Sequence, residues 1–156
     1  STGSGRSSTH PLQVWCVHWE FMSPTGNSDI HEALADAMSS RPYTHRQDVD
    51  TGITAVITVE EDMRFLRSTL RSVLTQNVLP GVVIIADATG RTSSRITTSF
   101  EVIPSPSGPV MEVPQSKHVT IHIVSAKGAR SFGDAVSRAL DRADLDDAPR
   151  ALWLLH

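Results

Sequence analysis

The feature that most constrains the fold is a set of short, almost wholly apolar runs in the second half of the chain. Three of these runs, Ile53 to Val59, Val82 to Ala86 and Val119 to Val124, are rich in valine and isoleucine. Such runs are typical of strands buried on both faces, as in a parallel sheet covered by helices. Because helical patterns alternate with them, the chain is predicted to form an α/β fold with an open, mainly parallel sheet and flanking helices.

Helical periodicity is clear in two of the segments that follow these strands. One helix is expected after Asp62, which can cap it, and Asn77, Pro80 and Gly81 are expected to end it. Its apolar face would consist of Phe65, Leu66, Leu70, Val73 and Leu74. The clearest helix runs from Ser131 to Asp144, where apolar residues recur with the 3.6-residue period.

The segment between the second and third strands is less regular. A weak helix is predicted from Thr92 to Phe100, although its threonines and serines lower the helix propensity. Glu101 to His118 contains four of the nine prolines and is expected to form a long surface loop.

The first 52 residues are interpreted as an N-terminal extension, and residues 53–156 as the main domain. The extension is predicted to hold a short strand from Val14 to Phe21 and a helix from Ser28 to Ser39, with Asp29 and Glu32 at capping-box spacing. Residues 40–52 are expected to be a linker.

A fourth strand is predicted from Ala151 to Leu155, and the sequence stops one residue later. Because a buried strand is normally followed by an element that covers it, we expect these residues to belong to a longer protein and the fold to be incomplete at its C-terminus.

Composition excludes several classes of protein. Fourteen Lys and Arg against 17 Asp and Glu give a net charge of −3, which argues against a broad nucleic-acid surface. Cys16 is the only cysteine, so the chain forms no internal disulfide and fits a reducing, cytoplasmic compartment. No run approaches the roughly 18 to 20 apolar residues of a membrane span.

Ligands of an open parallel sheet bind beyond the carboxyl ends of its strands. Three segments are predicted to lie there: Val59 to Glu61, Asp87 to Gly90 and Ser125 to Gly133. Asp87 can accept hydrogen bonds from a base N–H or a ribose hydroxyl. The alternative is that Asp87 only caps a turn, as many strand-end aspartates do.

The third segment has the composition of a phosphate site. Gly128 and Gly133 bracket the start of a helix, whose free N–H groups and dipole favour phosphate. Lys127 and Arg130 add positive charge at the same place. The structural alternatives are glycines that relieve crowding at a turn and an Arg130 that faces solvent. Taken together, the three segments predict a nucleotide site.

Four stretches resemble family 2 glycosyltransferases, which have the GT-A fold that binds nucleotide sugars. They are ITAVITVEEDMRFL, VVIIADATG, SAKGARSFGDAVSRAL and ALWLLH, in that order, within Ile53 to His156. The resemblance implies a Rossmann-like half of a GT-A fold in an inverting enzyme. That enzyme would move a sugar from a nucleoside-diphosphate donor to a hydroxyl on a cell-envelope glycan or lipid-linked acceptor.

The resemblance also implies roles for individual residues. Val59 and Glu61 lie where the family contacts the nucleoside, and Asp87 matches the acid that contacts the base. The diphosphate side is implied for Gly128, Arg130 and Gly133. Two departures stand out: Val59 and Glu60 replace a polar and aromatic pair, and the acidic metal motif expected after His156 is absent.

The family uses that acidic motif to hold a divalent cation, Mn²⁺ or Mg²⁺, and a later carboxylate as general base. The resemblance therefore implies a cation in the full-length enzyme, none bound by this chain, no catalytic residue among positions 1–156, and no activity for these residues alone.

Other interpretations remain open. The same half-sheet suits a non-catalytic nucleotide-binding or interaction module. A Rossmann dehydrogenase is disfavoured because no G-x-G-x-x-G follows the first buried strand. The sequence Asp144-Leu145-Asp146 spells a metal-binding D-x-D, but its position at a helix end favours a solvated turn. His118 and His122 lie on one face of a strand without an evident third ligand.

Overall fold

The computed structural model describes residues 13–17, 30–39, 47–60, 65–103 and 115–155, and for 13–17 and 31 the backbone alone. The described elements, in chain order, are β1 Gln13–Val17, α1 Ile30–Ser39, β2 Asp48–Val59, α2 Leu66–Leu74, β3 Val78–Asp87, β4 Ile96–Val102, β5 Lys117–Ser125, α3 Phe132–Ala143 and β6 Ala151–Leu155.

The six strands form one sheet in the order β1-β6-β2-β3-β5-β4. Neighbouring strands run parallel throughout, except that β4 is antiparallel to β5 at one edge. The predicted α/β class with a mainly parallel sheet is therefore confirmed. From β2 the chain proceeds through β3 to β5 on one side, and β6 lies on the other side of β2. The strand order thus reverses between β2 and β6.

Helices cover both faces of the sheet. Because consecutive strand residues point to opposite faces, neighbouring residues of one strand pack in different apolar clusters. Ile57 and Ile85 pack with Leu70 of α2 in one apolar cluster, to which α1 also contributes. Val56 and Ile84, each one residue earlier, belong to a second cluster with α3. This two-sided burial explains why these strands are apolar at nearly every position.

An irregularity in β2 interrupts its pairing with β3. Asp50 pairs with Pro80 and Thr54 with Val82, so β2 holds two more residues than β3 across this interval. Proline has no N–H to donate to the ladder. At Gly81, a Cβ would lie 2.8 Å from the Cα of Thr51, so the close approach requires glycine.

The prediction that Pro80 and Gly81 end a helix is wrong. Both residues lie inside β3. Helix α2 already ends at Leu74, where the N–H of Thr75 donates to the carbonyl of Arg71 over 3.1 Å. Pro80 lies opposite Asp50, the last paired residue before the register shift, and it precedes Val82, where the pairing of β3 with β5 begins.

The weak helix predicted from Thr92 to Phe100 is also wrong. Ile96 to Val102 is strand β4, whose residues pair one by one with β5 from Ile96 opposite Ile123 to Val102 opposite Lys117. The β-branched residues of this segment suit an extended backbone, and pairing with a neighbouring strand outweighs a weak helical pattern.

The N-terminal residues contribute to the same sheet as the rest of the chain. Strand β1 pairs with β6, and Ile30, Ala33 and Ala37 of α1 pack in the cluster that contains Leu70 of α2. Part of the expected linker is strand, since β2 begins at Asp48. The caps predicted at Asp29 and Asp62, and most of the loop predicted from Glu101 to His118, lie outside the described residues. Among the helices that are described, none combines the length and apolarity of a membrane span.

Candidate functional site

The ends of β2, β3 and β5 lie in one row at the carboxyl edge of the sheet. Asp87 pairs in register with Val59 on one side and with Ser125 on the other. Just beyond the strands, the N–H of Ala88 donates to the carbonyl of Val59 over 2.8 Å, and the N–H of Ala126 donates to that of Asp87 over 2.7 Å. The segments predicted to form the site therefore share one edge.

A cavity of about 730 Å³ opens at this edge, within the size range of small-molecule sites. The cavity is bordered by the end of β2 and by the first turns of α2 and α3. The helices α2 and α3 pack on opposite faces of the sheet. The described lining of the cavity consists of Ile57, Thr58, Val59, Glu60, Phe65, Leu66, Thr69, Ala88, Ala129, Arg130, Ser131 and Ala135. The strand order reverses next to β2, and such a reversal is where open α/β sheets bind ligands.

The first turn of α3 is held by a capping arrangement. Ser131 is the N-cap residue, and its Oγ accepts the N–H of Asp134 over 3.1 Å. The Asp134 carboxylate in turn accepts the N–H of Arg130 over 2.9 Å. That hydrogen bond, followed by one from the Arg138 side chain, lowers the pKa of Asp134 below its ordinary value. A negative charge thus lies at the helix N-terminus, where the dipole stabilises it.

Arg138 fixes the loop between β5 and α3. Its Nε lies 3.3 Å from both carboxylate oxygens of Asp134, and its Nη1 donates to the carbonyl of Lys127 over 3.2 Å. Gly128 has a φ of +88°, a backbone conformation that other residues adopt at a cost. These contacts orient the loop so that Ala129, Arg130 and Ser131 face the cavity.

Arg130 is the predicted phosphate residue that reaches the cavity. Its side chain is exposed and lines the opening, where it adds a positive charge close to the first turn of α3. The described lining includes neither Gly128 nor Gly133. Gly133 lies in the first turn of α3, and a Cβ there would meet no atom within 4 Å, so its backbone is open to approach.

Asp87 is placed as a structural acid of its own loop. Its side chain is fully buried, and its Oδ1 accepts hydrogen bonds from the Thr89 N–H over 2.8 Å and from the Thr89 hydroxyl. Its Oδ2 accepts the N–H of Thr92 over 3.0 Å. The described cavity lining contains Ala88 but not Asp87. These contacts favour the turn-capping alternative over the direct base contact that the resemblance implies.

The first predicted segment reaches the cavity in part. Val59 lines it although its side chain is almost fully buried, and the exposed Glu60 lies at its opening. Glu61, the residue implied to contact the nucleoside, lies outside the described residues, as does His156.

Outside the three predicted segments, sequence reasoning missed three polar or aromatic residues that line the cavity: Thr58, Phe65 and Thr69. Thr69 Oγ1 donates to the carbonyl of Phe65 over 3.0 Å, so it closes the first turn of α2. Thr58 Oγ1 is buried and has no hydrogen-bond partner among the residues that the structure describes. The available signal was a hydroxyl near the end of a strand buried on both faces, where polar side chains are uncommon.

Other candidate groups lie away from the cavity. Thr97 Oγ1 lies 3.0 Å from His122 Nδ1, and burial lowers the pKa of His122. Asp144 ends α3 in a left-handed conformation and is exposed. Within the part of the chain that the structure describes, no three His, Cys, Asp or Glu side chains are grouped to hold a metal ion.

Comparison of the chain with protein-family models, with curated proteins and with solved structures finds no match. The resemblance to family 2 glycosyltransferases therefore depends on the four sequence stretches alone.

Proposed function

We propose that this chain is the nucleotide-sugar-binding part of an inverting glycosyltransferase. The enzyme would transfer a sugar from a nucleoside-diphosphate donor to a hydroxyl acceptor, a glycan or a lipid-linked saccharide of the cell envelope. The observation that carries the proposal is the cavity at the reversal of strand order, where the end of β2 meets Arg130 and the first turn of α3.

The order of the parallel strands supports a Rossmann-like half of a GT-A fold. Counting from β2 along the chain and leaving out the antiparallel β4, the order β5-β3-β2-β6 is 3-2-1-4. The same order forms the first part of the classic dinucleotide-binding sheet, whose ligand lies at the carboxyl ends beside strand 1. Strand 1 of this count is β2, which supplies Ile57 to Glu60 to the cavity.

Arg130 and α3 provide the features that bind a diphosphate. A guanidinium group forms charge-assisted hydrogen bonds to phosphate oxygens, and the positive end of a helix attracts them. Asp134 opposes this attraction, but its carboxylate is engaged by the Arg130 N–H and by Arg138. In the proposal, the diphosphate lies on the exposed side of the first turn of α3, next to Gly133, whose backbone is open to approach.

In this proposal, the described residues bind the nucleotide-sugar donor and carry out no chemical step of the transfer. The family's cation would polarise the leaving diphosphate when bound, but no set of metal ligands is assembled among the residues described. The cavity residues would hold the donor in one orientation and exclude water from its nucleoside end. With Cys16 as the only cysteine, we place the reaction in the reducing cytoplasm.

Binding of UDP and GDP, measured by calorimetry with and without Mn²⁺, tests the proposal. We expect one of the two to bind, and Arg130→Gln to weaken it roughly tenfold or more, because a hydrogen bond to a charged group contributes about 1.5–3 kcal/mol. Arg71→Gln is the matched control, since it removes the same charge from the last turn of α2, where Arg71 pairs with Asp36. Absence of binding by the wild-type chain, or equal loss in both variants, would contradict the proposal.

A nucleotide-binding module without transferase activity is the second candidate. The position of Asp87 favours it, because the acid expected to contact the base is occupied by Thr89 and Thr92. Both candidates predict nucleotide binding. Release of UDP or GDP from a sugar nucleotide by the complete protein, in the presence of an acceptor, distinguishes the enzyme from the module.

A further inference from the structure

Thr58 combines deep burial with a hydroxyl that is unpaired within the described part of the chain. Its side chain is only 9% exposed, and its Oγ1 finds no hydrogen-bond partner among the described residues. Buried hydroxyl groups are normally paired, because an unpaired one gives up its bonds to water without replacement. The residue also lines the cavity at the carboxyl edge. A buried hydroxyl at the cavity wall that has no partner among the described residues is available to a group that enters the cavity from outside.

The described residues that pack on the same face of the sheet as Thr58 form an apolar cluster. Thr58 follows Ile57, which packs on the α2 face, so it shares the α3 face with Val56. On that face, three alanines line the cavity together with Thr58: Ala88, Ala129 and Ala135. Alanine side chains offer no hydrogen bond, and their small size leaves a smooth apolar wall beside the hydroxyl.

Such a wall suits a flat ring with a polar edge. A nucleobase presents an apolar face that packs on small side chains, and its edge carries donors and acceptors. A threonine hydroxyl both donates and accepts, so it can pair with either kind of group. Asp87, which the resemblance implies for this contact, is occupied by its own loop. The base therefore needs another polar contact, and Thr58 supplies one on the opposite face of β2 from Val59.

Accordingly, we propose that the Thr58 hydroxyl binds the nucleobase of the donor, whose ring lies against the alanine wall of the cavity. This inference rests on the proposed function, since it assigns one end of the same nucleotide site. The charged end of the ligand lies at Arg130, so the two contacts can be tested separately with probes that carry only one of the two groups.

Thr58→Val is the decisive substitution, because valine keeps the shape of threonine and removes only the hydroxyl. We expect it to weaken the binding of UDP or GDP, whichever the wild type binds, by roughly tenfold, and to leave the binding of inorganic pyrophosphate unchanged. Thr58→Ser, which keeps the hydroxyl, should bind within about threefold of the wild type. The melting temperature of unliganded Thr58→Val should rise by about 2–4 °C, since an unpaired buried group is removed.

Thr54→Val is the matched control. Thr54 lies four residues earlier on the same face of β2, is only 3% exposed, and pairs with Val82 and Leu152 further from the carboxyl edge. Nucleotide affinity in this variant should equal that of the wild type. A second measurement needs no variant: the methyl resonance of Thr58 should shift on addition of the nucleotide and stay in place with pyrophosphate.

The outcomes separate the two proposals. If the wild type binds a nucleotide and Thr58→Val binds it equally well, or if the Thr58 methyl does not shift, the inference about Thr58 is overturned while the proposed function stands. Equal weakening of nucleotide and pyrophosphate binding also overturns it, because the hydroxyl would then act at the charged end. If the wild type binds neither UDP nor GDP, both proposals fail.

Discussion

The carboxylate of Asp87 accepts the backbone N–H of Thr92, five residues later in the chain, over 3.0 Å. With the two hydrogen bonds from Thr89, this contact folds the loop after β3 around a fully buried acid. Ala88, at the start of that loop, lines the cavity. The hydrogen bonds of Asp87 therefore hold one part of the cavity lining in place without contact to the cavity itself.

Removal of this carboxylate should therefore destabilise the protein. Asp87→Ala leaves up to three donors of the loop without their acceptor, and we expect a loss of about 2–3 kcal/mol in the free energy of unfolding. Thr89→Ala removes only the hydroxyl donor and should cost roughly 0.5–1.5 kcal/mol. Urea unfolding followed by circular dichroism measures both. A loss for Asp87→Ala no larger than that for Thr89→Ala would show that the buried acid does not organise the loop.

Two glycines should respond in opposite directions to alanine. At Gly81 the new Cβ would lie 2.8 Å from the Cα of Thr51, and backbone cannot move aside, so Gly81→Ala should cost roughly 1–3 kcal/mol. At Gly133 nothing lies within 4 Å, and alanine favours the helix, so Gly133→Ala should stabilise the protein by about 0.5 kcal/mol. Urea midpoints of the two variants decide the question. An unchanged midpoint for Gly81→Ala would contradict the close approach of Gly81 to Thr51, and destabilisation by Gly133→Ala would contradict the open space at Gly133.

The capping of α3 can be tested within the same helix. Ser131→Ala removes the Oγ that accepts the N–H of Asp134, and loss of an N-cap costs about 1 kcal/mol. Ser137→Ala is the matched control, because Ser137 is exposed in the middle of the helix, where alanine is the better helix former. Thermal unfolding should show a lower melting temperature for the first variant and an unchanged or slightly higher one for the second. The reverse order would argue against the cap.

Asp50 gives the protein a defined pH dependence. Its carboxylate joins β2 to the residue before β6, since it accepts a hydrogen bond from the Arg150 side chain and the N–H of Gly52. The hydrogen bond from Arg150 is the main reason that the pKa of Asp50 lies below its ordinary value of 3.8. A lowered pKa means that the stabilisation is complete above the ordinary value and disappears as the pH falls through the lower folded value.

Asp50→Asn should consequently reduce the loss of stability between about pH 4 and pH 2, while lowering stability at pH 7. Both side chains of the pair are partly exposed, and solvent screens their interaction, so the change at pH 7 should stay within about 1 kcal/mol. Urea midpoints at pH 7 and pH 3 measure the effect, with Asp141→Asn on the exposed side of α3 as the control. An Asp50→Asn variant with the same pH dependence as the wild type would disprove the contribution of this carboxylate.

Much of the architecture could be predicted because it depends on local pattern. Because β2 is buried on both faces, Val56 and Ile57 are both apolar although they point to opposite faces of the sheet. Helix α3 buries only one side, so its apolar residues recur with the helical period. The edge strand β4 could not be predicted in the same way. Its identity depends on pairing with β5, a contact between segments that a local window does not contain.

The site shows the same division. That Val59, Asp87 and Ser125 share an edge follows from parallel strands, and the structure confirms it. Whether a side chain faces the cavity depends on loop conformation, which periodicity does not encode. The carboxylate of Asp87 bonds to its own loop, which periodicity could not predict. Thr58, one residue before the end of β2, lines the cavity instead.

The central claim is that a nucleotide binds at the carboxyl edge of the sheet, and a ¹H–¹⁵N titration of the wild-type chain with UDP and with GDP tests it most directly. We expect the amide shifts to concentrate at Thr58, Ala88 and Ser131, while the amides of Val49 and Lys117, at the opposite edge of the sheet, stay in place. Spectra that do not change at millimolar nucleotide, or shifts centred on Val49 and Lys117, would contradict it.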